Sequence, residues 1–488
     1  MNFLKLVLLS VFFTGCTSLM QKEEIISKTH IPKRFSNEDV LQSLVKQTYG
    51  EKPTLSKEMP NLQSMDFLQT FFYIFTDHTL QQLIEQALKN NPNVLTLTSK
   101  IAQARSTAKI QGADMIPKIG ANIGYNYSDG NYKKYQINFN QNTLNGSLTL
   151  SWEIDIFGRI NYLRKASKEQ YFSAQKDLSS AKISLISDVA NYYFTIRKLI
   201  NSINIYQELV QNQEKIYQIN EKKYDLGLID ITELASLKST LSNQKNTLLD
   251  LSYQLEQNKN ALLVLLNTKN VDFDMTQNYH FKKPNFPPIQ TMPSSVLLKR
   301  PDIQSAIHAL NAQIYTQSSK RAEFFPVLNI SGSLGQILFS NNGIGDLIWQ
   351  ITSSLSMPLL NRTNIRENYK IQKENVKQAF YALQNSINTA IGEIQNAISD
   401  ADYSKENLKN SLQSAQISEN ALKATKFKYD YKLIDEISLL DYQNQYLNIQ
   451  KTLNESLYGN TEAMILLYKS FGGVFVFEDD KGDKNAQH

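Results

Sequence analysis

Glycine and proline are missing from most of this chain, and the gaps decide its class. None of the 12 prolines falls between Lys118 and Lys283 or beyond Pro358, and between Arg159 and Ser331 the one glycine is Gly227. These two residues interrupt helices most often, so their absence leaves room for very long ones. Cysteine is reduced to Cys16, which rules out an intrachain disulfide. Charge is near balance, net +5 from 51 basic and 46 acidic side chains, and no Lys/Arg block marks a nucleic-acid partner. After the first residues no apolar run approaches the roughly 18 that a transmembrane helix needs. The five histidines (His30, His78, His280, His308, His488) are scattered without ligand spacing, and no phosphate loop, nucleophile elbow or dinucleotide fingerprint occurs. The expectation is a protein without catalysis, metal site or cofactor.

What is present fits the space left open. Leu185, Val189, Tyr192, Ile196, Leu199, Ile203, Tyr206 and Val210 alternate spacings of four and three, the rhythm of a coiled-coil seam. Val376, Phe380, Leu383, Ile387, Ala390, Ile394, Ala397 and Ala401 repeat it. A helix over 161–224 would be roughly 95 Å long. Gly227 ends it, and Asp230 with Glu233 caps a return helix over 232–266.

The chain is also duplicated. Lys-Tyr-Asp-Leu-Gly-Leu-Ile-Asp at Lys223–Asp230 returns as Lys-Tyr-Asp-Tyr-Lys-Leu-Ile-Asp at Lys428–Asp435. Asn91-Pro92 answers Arg300-Pro301 and Pro117 answers Pro326, each 209 positions on, while Tyr224 and Tyr429 lie 205 apart. Each copy therefore holds a long helical hairpin whose tip is the repeated string.

Between the helices the period falls to two. Ile119, Ala121, Ile123, Tyr125 and Tyr127 alternate with polar residues or glycine, and so do Leu144 to Ile156, Leu328 to Leu334 and Trp349 to Leu359. Ser128 to Asn142 and Ser340 to Asp346 read as loops. A soluble sheet with one wet face shows such alternation. Strands of this length, with both tryptophans, Trp152 and Trp349, on the apolar face as a membrane girdle, suit a lipid-embedded wall better. Four strands cannot close a barrel, and open edges are not tolerated in lipid, so several chains must pool them.

The first residues read as an export signal: Lys5, an apolar stretch from Leu6 to Phe13, then Phe13-Thr14-Gly15-Cys16. The last four resemble a bacterial lipobox, which makes Cys16 the acylated first residue of the mature protein. Thr17, where Asp would signal inner-membrane retention, directs the anchor to outer-membrane lipid. An ordinary signal peptide with a chance cysteine is the alternative.

Together these features resemble the TolC-like outer-membrane efflux channels of tripartite pumps, in their lipoprotein branch. The pieces that carry the resemblance are Leu88-Lys89-Asn90-Asn91-Pro92, Ser151-Trp152-Glu153-Ile154-Asp155-Ile156-Phe157-Gly158, Leu298-Lys299-Arg300-Pro301-Asp302-Ile303 and Phe324-Phe325-Pro326. The resemblance implies a mainly α fold with a membrane β part. Three chains of four strands would form a twelve-stranded barrel continuous with a coiled-coil helical barrel, gated at the periplasmic tip. It implies a homotrimer, a periplasmic adaptor and an inner-membrane transporter of RND type, with drugs or other small toxic compounds conducted passively.

By alignment of the repeated strings it places adaptor docking at Gly227, Leu228, Ile229, Leu433 and Ile434. A gate would comprise Glu233, Tyr429 and Asp441. At Lys432 and Ser438 the sequence departs from the family's glycine and second acid, and Ile434 stands where a basic gate residue is usual. Each assignment has a plainer rival. Leu228 and Leu433 would staple their own hairpins, Glu233 would cap a helix, and Asp441 would be a solvated helix residue. Type I secretion, metal-cation efflux and a non-conducting coiled-coil lipoprotein are the rival functions. The expected organisation is a signal at 1–15, an anchored strap at 16–79, repeats at 80–290 and 291–470, and a tail at 471–488.

Overall fold

The computed structural model describes residue 40 and residues 66–132, 137–270, 278–285, 294–340, 343–357 and 362–473. Cys16, most of the proline-rich connector between the two copies (Asn267 to Pro293) and the tail after 473 lie outside these. The elements in order are α1 (Phe67–Ile74), α2 (His78–Asn90), α3 (Pro92–Ala113), β1 (Lys118–Tyr132), β2 (Ile137–Ile154), α4 (Arg159–Asp225), α5 (Ile231–Leu266), α6 (Pro301–Ala322), β3 (Val327–Ser340), β4 (Leu347–Ser356), α7 (Arg362–Asp430) and α8 (Glu436–Ser470). A 3₁₀ turn, Ser294–Lys299, precedes α6. The order helix, two strands, long helix and return helix occurs twice, as the duplication requires.

The long helices run as the glycine and proline gaps permit: α4 has 67 residues and α7 has 69. Their starts are chemically marked. Asp155 Oδ1 and Oδ2 accept the Ile160 and Asn161 amides at 3.1 and 2.7 Å, tying up free donors of the first turn of α4. Among the described residues no helix is long and apolar enough to cross a membrane.

Two compact units emerge. One takes in 98–176 and 304–386, hence the sheet; the other takes in 66–97, 177–303 and 387–473, hence both hairpin tips. The α7 seam is buried from Leu383 on, with Leu383, Ile387, Ala390, Ile394 and Ala397 fully covered, whereas Val376 and Phe380 at its start are only half-buried. The α4 seam needs a correction. Tyr192, Ile203 and Tyr206 are only half-buried, whereas Tyr193, Phe194 and Arg197 are buried. A coiled-coil rhythm assumes a neighbour on one side, but α4 is also covered by α1 and by the segment 278–285. Phe75 and Phe281 lie 5.6 and 6.2 Å from the Phe194 ring.

Within that cover Asp77 caps α2 through the Leu80 amide at 3.1 Å. Its Oδ2 also accepts the Tyr193 and Tyr279 hydroxyls at 2.9 and 2.7 Å. The Arg197 guanidinium lies 5.2 and 5.1 Å from the same two rings. Burial first and Asp77 second push the Tyr193 hydroxyl up to about 12, and burial with the Asp77 hydrogen bond raises Tyr279. Both phenols stay protonated donors.

The sheet is an antiparallel meander, β1-β2-β3-β4. β1 and β2 run past the expected strand ends, through residues read as the Ser128 to Asn142 loop, and pair in unbroken register up to Tyr132↔Ile137. Asn, Ser and Gly are poor strand formers, but inner rows had already set the register, so the outer rows follow. β2 stops at Ile154 rather than Ile156, because Asp155 is engaged as the cap of α4.

Candidate functional site

Two features stand out as sites: the hairpin tips and the two-faced sheet. The tips come from the repeated string. After α4 the Gly227 amide bonds Tyr224 O at 2.9 Å and the Leu228 amide bonds Lys223 O at 2.9 Å. After α7 the Lys432 amide bonds Tyr429 O at 2.8 Å and the Leu433 amide bonds Lys428 O at 2.9 Å. Both are Schellman turns, which require a left-handed residue. Gly227 has φ +69 and Lys432 has φ +58. The second tip therefore keeps the first tip's geometry and accepts the cost of a side chain there, about 1 kcal/mol.

Each turn is followed by an aspartate cap. Asp230 accepts the Thr232 and Glu233 amides at 2.7 and 2.9 Å as well as the Thr232 hydroxyl, and Asp435 accepts the Ser438 amide at 2.9 Å. Hydrogen bonds from Thr232 and from Ser438, side chain first, hold the two carboxyls below the ordinary aspartate value. Glu233 thus sits in the capped first turn of α5, where its acid also suits the helix N-terminus.

Leu228 and Leu433 point outward, 69% and 70% exposed, while Ile229 and Ile434 are half-buried. Exposure of that size does not fit a leucine that staples its own hairpin. Leu226 and Tyr431, 75% and 65% exposed, extend the apolar tip. Sequence reasoning passed over them, although they occupy equivalent places in the repeated string, which was the available signal.

Tyr429 is half-buried in the last turn of α7, and Glu233 and Asp441 are exposed. Among the described residues no hydrogen bond joins Tyr429 to Glu233, so a single chain does not bring this pair together. The Asp441 carboxyl is raised from the ordinary aspartate value, first by partial desolvation and then by Asp435.

In the sheet, register sorts every row by face. Ala121, Leu148, Leu334 and Trp349 form one row, and Ile119, Leu150, Gly332 and Ile351 form another. The opposite face carries Gly120, Thr149, Ser333 and Gln350, then Lys118, Ser151, Ser331 and Thr352. The apolar face is bare: Ile119, Ile123, Trp349 and Ile351 are 71–80% exposed. Both outer strands, β1 and β4, lack a partner on one side among the described residues.

The tryptophans share the apolar face but not a setting. Trp152 is half-buried and its indole donates to Met115 O at 3.1 Å, whereas the Trp349 side chain, four ladder rows away, is exposed. Tyr125 and Tyr127, 63% and 57% exposed, close the far end of the face. Tyr127 pairs with Asn142, ten positions from Trp152 along β2. That is about 33 Å along a strand, and roughly 25 Å of height once tilted as membrane strands are.

The strings that carry the family resemblance prove to be joints. Glu153 takes Arg159 in a bidentate pair at 2.8–3.0 Å, and Phe157 stacks on Phe325 at 4.7 Å, so two of the quoted strings meet. Asn91 Nδ2 reaches Leu265 O, near the end of α5, at 2.9 Å; Arg300 reaches Ser470 O, at the end of α8, at 2.6 Å. Different side chains thus perform the same tie in the two repeats. Burial alone would lower the Arg300 guanidinium, but Asp302 and Glu393, each 2.7 Å away, outweigh it and raise it.

Comparison with known proteins agrees with this geometry. The family model described as "Outer membrane efflux protein" matches residues 83–268 and 292–473. The chain is 24% identical over 430 residues to the probable efflux pump outer membrane protein TtgC of Pseudomonas putida, covering 84% of this chain and 86% of that one. It is 24% identical over 416 residues to the cation efflux system protein CusC of Escherichia coli K12, covering 82% and 87%. Among solved structures, the Campylobacter jejuni CmeC outer membrane channel superposes with a TM-score of 0.74 at 24% identity, over 88% of this chain and 92% of that one.

Proposed function

Because the chain belongs to the outer membrane efflux protein family, we propose that three copies pool their sheets into a twelve-stranded barrel in the outer membrane and conduct solutes outward through it. The observation that carries this reading is a sheet with one bare apolar face and two unpaired edges. In lipid each open edge leaves backbone donors and acceptors unsatisfied, so β1 of one copy must pair with β4 of the next. Native mass measurement in lipid nanodiscs, with single-channel recording on the same preparation, tests it. Trimers that conduct are expected; a monomer that stays soluble once its anchor is removed would overturn it.

The channel is the outer part of a tripartite pump in this reading, with energy supplied by an inner-membrane transporter of RND type and transmitted through a periplasmic adaptor. Cargo is small toxic compounds. Relatives named for antibiotic, toluene and cation efflux all match the chain, which fits selection of cargo by the transporter. Cys16 carries the lipid anchor. Trp152 belongs to the aromatic girdle of the wall, with Tyr125 and Tyr127 at its other end; Trp349, expected in the girdle, lies four rows further in on the same face.

The tips dock the adaptor through Gly227, Leu228, Ile229, Leu433 and Ile434. The outward leucines on two matching turns support this. Leu228→Asp with Leu433→Asp should abolish adaptor capture by the intact trimer, at least tenfold in retained complex. Undiminished capture would return both leucines to a purely local role.

Glu233 and Tyr429 form a latch that closes when hairpins of neighbouring copies converge. Glu233→Gln with Tyr429→Phe should lengthen channel openings in bilayers, and an unchanged open fraction would dismiss the pair. Asp441 supplies a ring of three carboxylates. A raised acid pKa favours the neutral form, so the ring is charged above that value and loses charge as pH falls through it. Cation preference should therefore decline at a pH above the ordinary aspartate value of about 3.9. Asp441→Asn channels should show the reduced preference at every pH; a wild-type titration at or below that value would exclude the ring.

A further inference from the structure

The strands hold almost no charge. Of the residues in β1 to β4, only Lys118, Asp129 and Glu153 are ionisable as acid or base at neutral pH. Asp129 lies in the same alternation as Tyr125 and Tyr127, on the apolar side. The polar face is left with Lys118 and Glu153, both at the rim where helices meet strands. Each is neutralised in place: Lys118 Nζ sits 2.7 Å from Asp114 Oδ1, and Glu153 holds Arg159 at 2.8 Å. These four side chains line a cavity of about 280 Å³ together with Ser151 and Asn329.

Above that rim, as far as the row of Asn126 and Thr143, the polar face is made of hydroxyls, amides and glycines, with Ile337 and Ile348 as apolar interruptions. That these residues share one face is fixed by packing as well as register. A Cβ built on Gly335 would meet the Ser147 Cβ at 3.2 Å, and one on Gly120 the Thr149 Oγ1 at 3.0 Å. Gln350 Nε2 bonds Thr352 Oγ1 at 3.3 Å along the same side.

We infer that the barrel lumen is a charge-neutral section that admits cations, anions and neutral solutes alike, so that the β part discriminates by size and not by sign. The inference rests on the trimeric pore proposed above. Its physical basis is direct: sign selectivity in pores comes from rings of fixed charge, and three copies of this face add no net charge between the rim and the outer end. Hydroxyl and amide groups hydrate a solute of either sign, donating to anions and accepting from cations. The cargo class that follows is broad, limited by dimensions that fit the barrel, with acids, bases and uncharged compounds passing through the same wall.

Thiol accessibility with reagents of opposite charge tests this. Ser147→Cys and Ser333→Cys would each be introduced into the full-length chain, with the parent protein as blank for Cys16. Cationic and anionic methanethiosulfonates of similar size are then applied, and each rate is normalised to the same reagent's rate with 2-mercaptoethanol. A neutral lumen predicts normalised rates within about threefold of each other at both sites. Adding Ser147→Glu to Ser333→Cys should raise the cationic preference about tenfold, which shows that the assay senses a lining charge. A larger than threefold preference without the added glutamate would overturn the inference while leaving the pore intact. Leu148→Cys, on the opposite face, should react with neither reagent. Equal reaction at 147 and 148 would mean both faces are wet, and would sink the pore itself.

Discussion

Leu148→Arg will keep this chain out of assembled outer-membrane trimers, whereas Ser147→Arg, its neighbour in β2, will assemble. Leu148 lies in the middle of the apolar face, in one row with Ala121, Leu334 and Trp349, and is 50% exposed in the isolated chain. Arginine on the lipid face near the bilayer midplane costs about 2–4 kcal/mol per strand site. Three symmetry-related copies bring the total to roughly 6–12 kcal/mol, comparable with the whole stability of a typical domain. Ser147 shares its row with Gly335 on the polar face, so an arginine there projects into water. The measurement is the fraction of heat-sensitive trimer in isolated outer membranes. Leu148→Arg should fall to a few per cent of wild type and Ser147→Arg should stay above half. The reverse order would mean that the faces are exchanged.

The second large effect concerns a part far removed in sequence from any proposed site residue. Asp77→Ala removes the acceptor of two tyrosine hydroxyls and the cap of α2 in one change. A hydrogen bond to a charged group contributes about 1.5–3 kcal/mol, and a cap about 1 kcal/mol. Asp77 is half-buried, so the lower ends apply and the sum is about 4 kcal/mol. Urea midpoints of the trimer should drop accordingly. Tyr279→Phe should cost about 1.5 kcal/mol in the wild type and close to nothing in the Asp77→Ala background, because its partner has already gone. Full additivity of the two would show that the hydroxyl works with some other group. Because these three residues come from α2, α4 and the connector, the change tests whether the connector is held by this cluster.

Much of the architecture was legible because it follows from local rules. Long helices need nothing beyond the lack of Gly and Pro and a steady seam, and the α7 seam from Leu383 to Ala401 is buried as spaced. The strand faces were equally legible, since alternation obliges Leu148 and Ser147 to point opposite ways. Strand ends were not, because the ladder carried Asn- and Ser-rich segments along with it to Tyr132. The α4 seam misplaced Tyr193 and Phe194 because periodicity along one helix says nothing about a second neighbour. At the tips, residues were found through the repeat, yet their consequence was not. Only the backbone shows that Lys432 adopts the left-handed turn of Gly227 and that Leu228 and Leu433 point out together.

By itself the sequence determined the two periodicities and the number of strands, because each depends on residues close together along the chain, and the duplication, because strings 205 positions apart read alike. It also determined that one copy is insufficient, since four strands cannot close. The tertiary structure decided which distant groups meet: Asp77 with Tyr193 and Tyr279, Arg300 with Ser470, Phe157 with Phe325. Such pairings form only after long segments are brought together, and their partners are chosen by the packing of whole helices. No spacing along the chain encodes that choice.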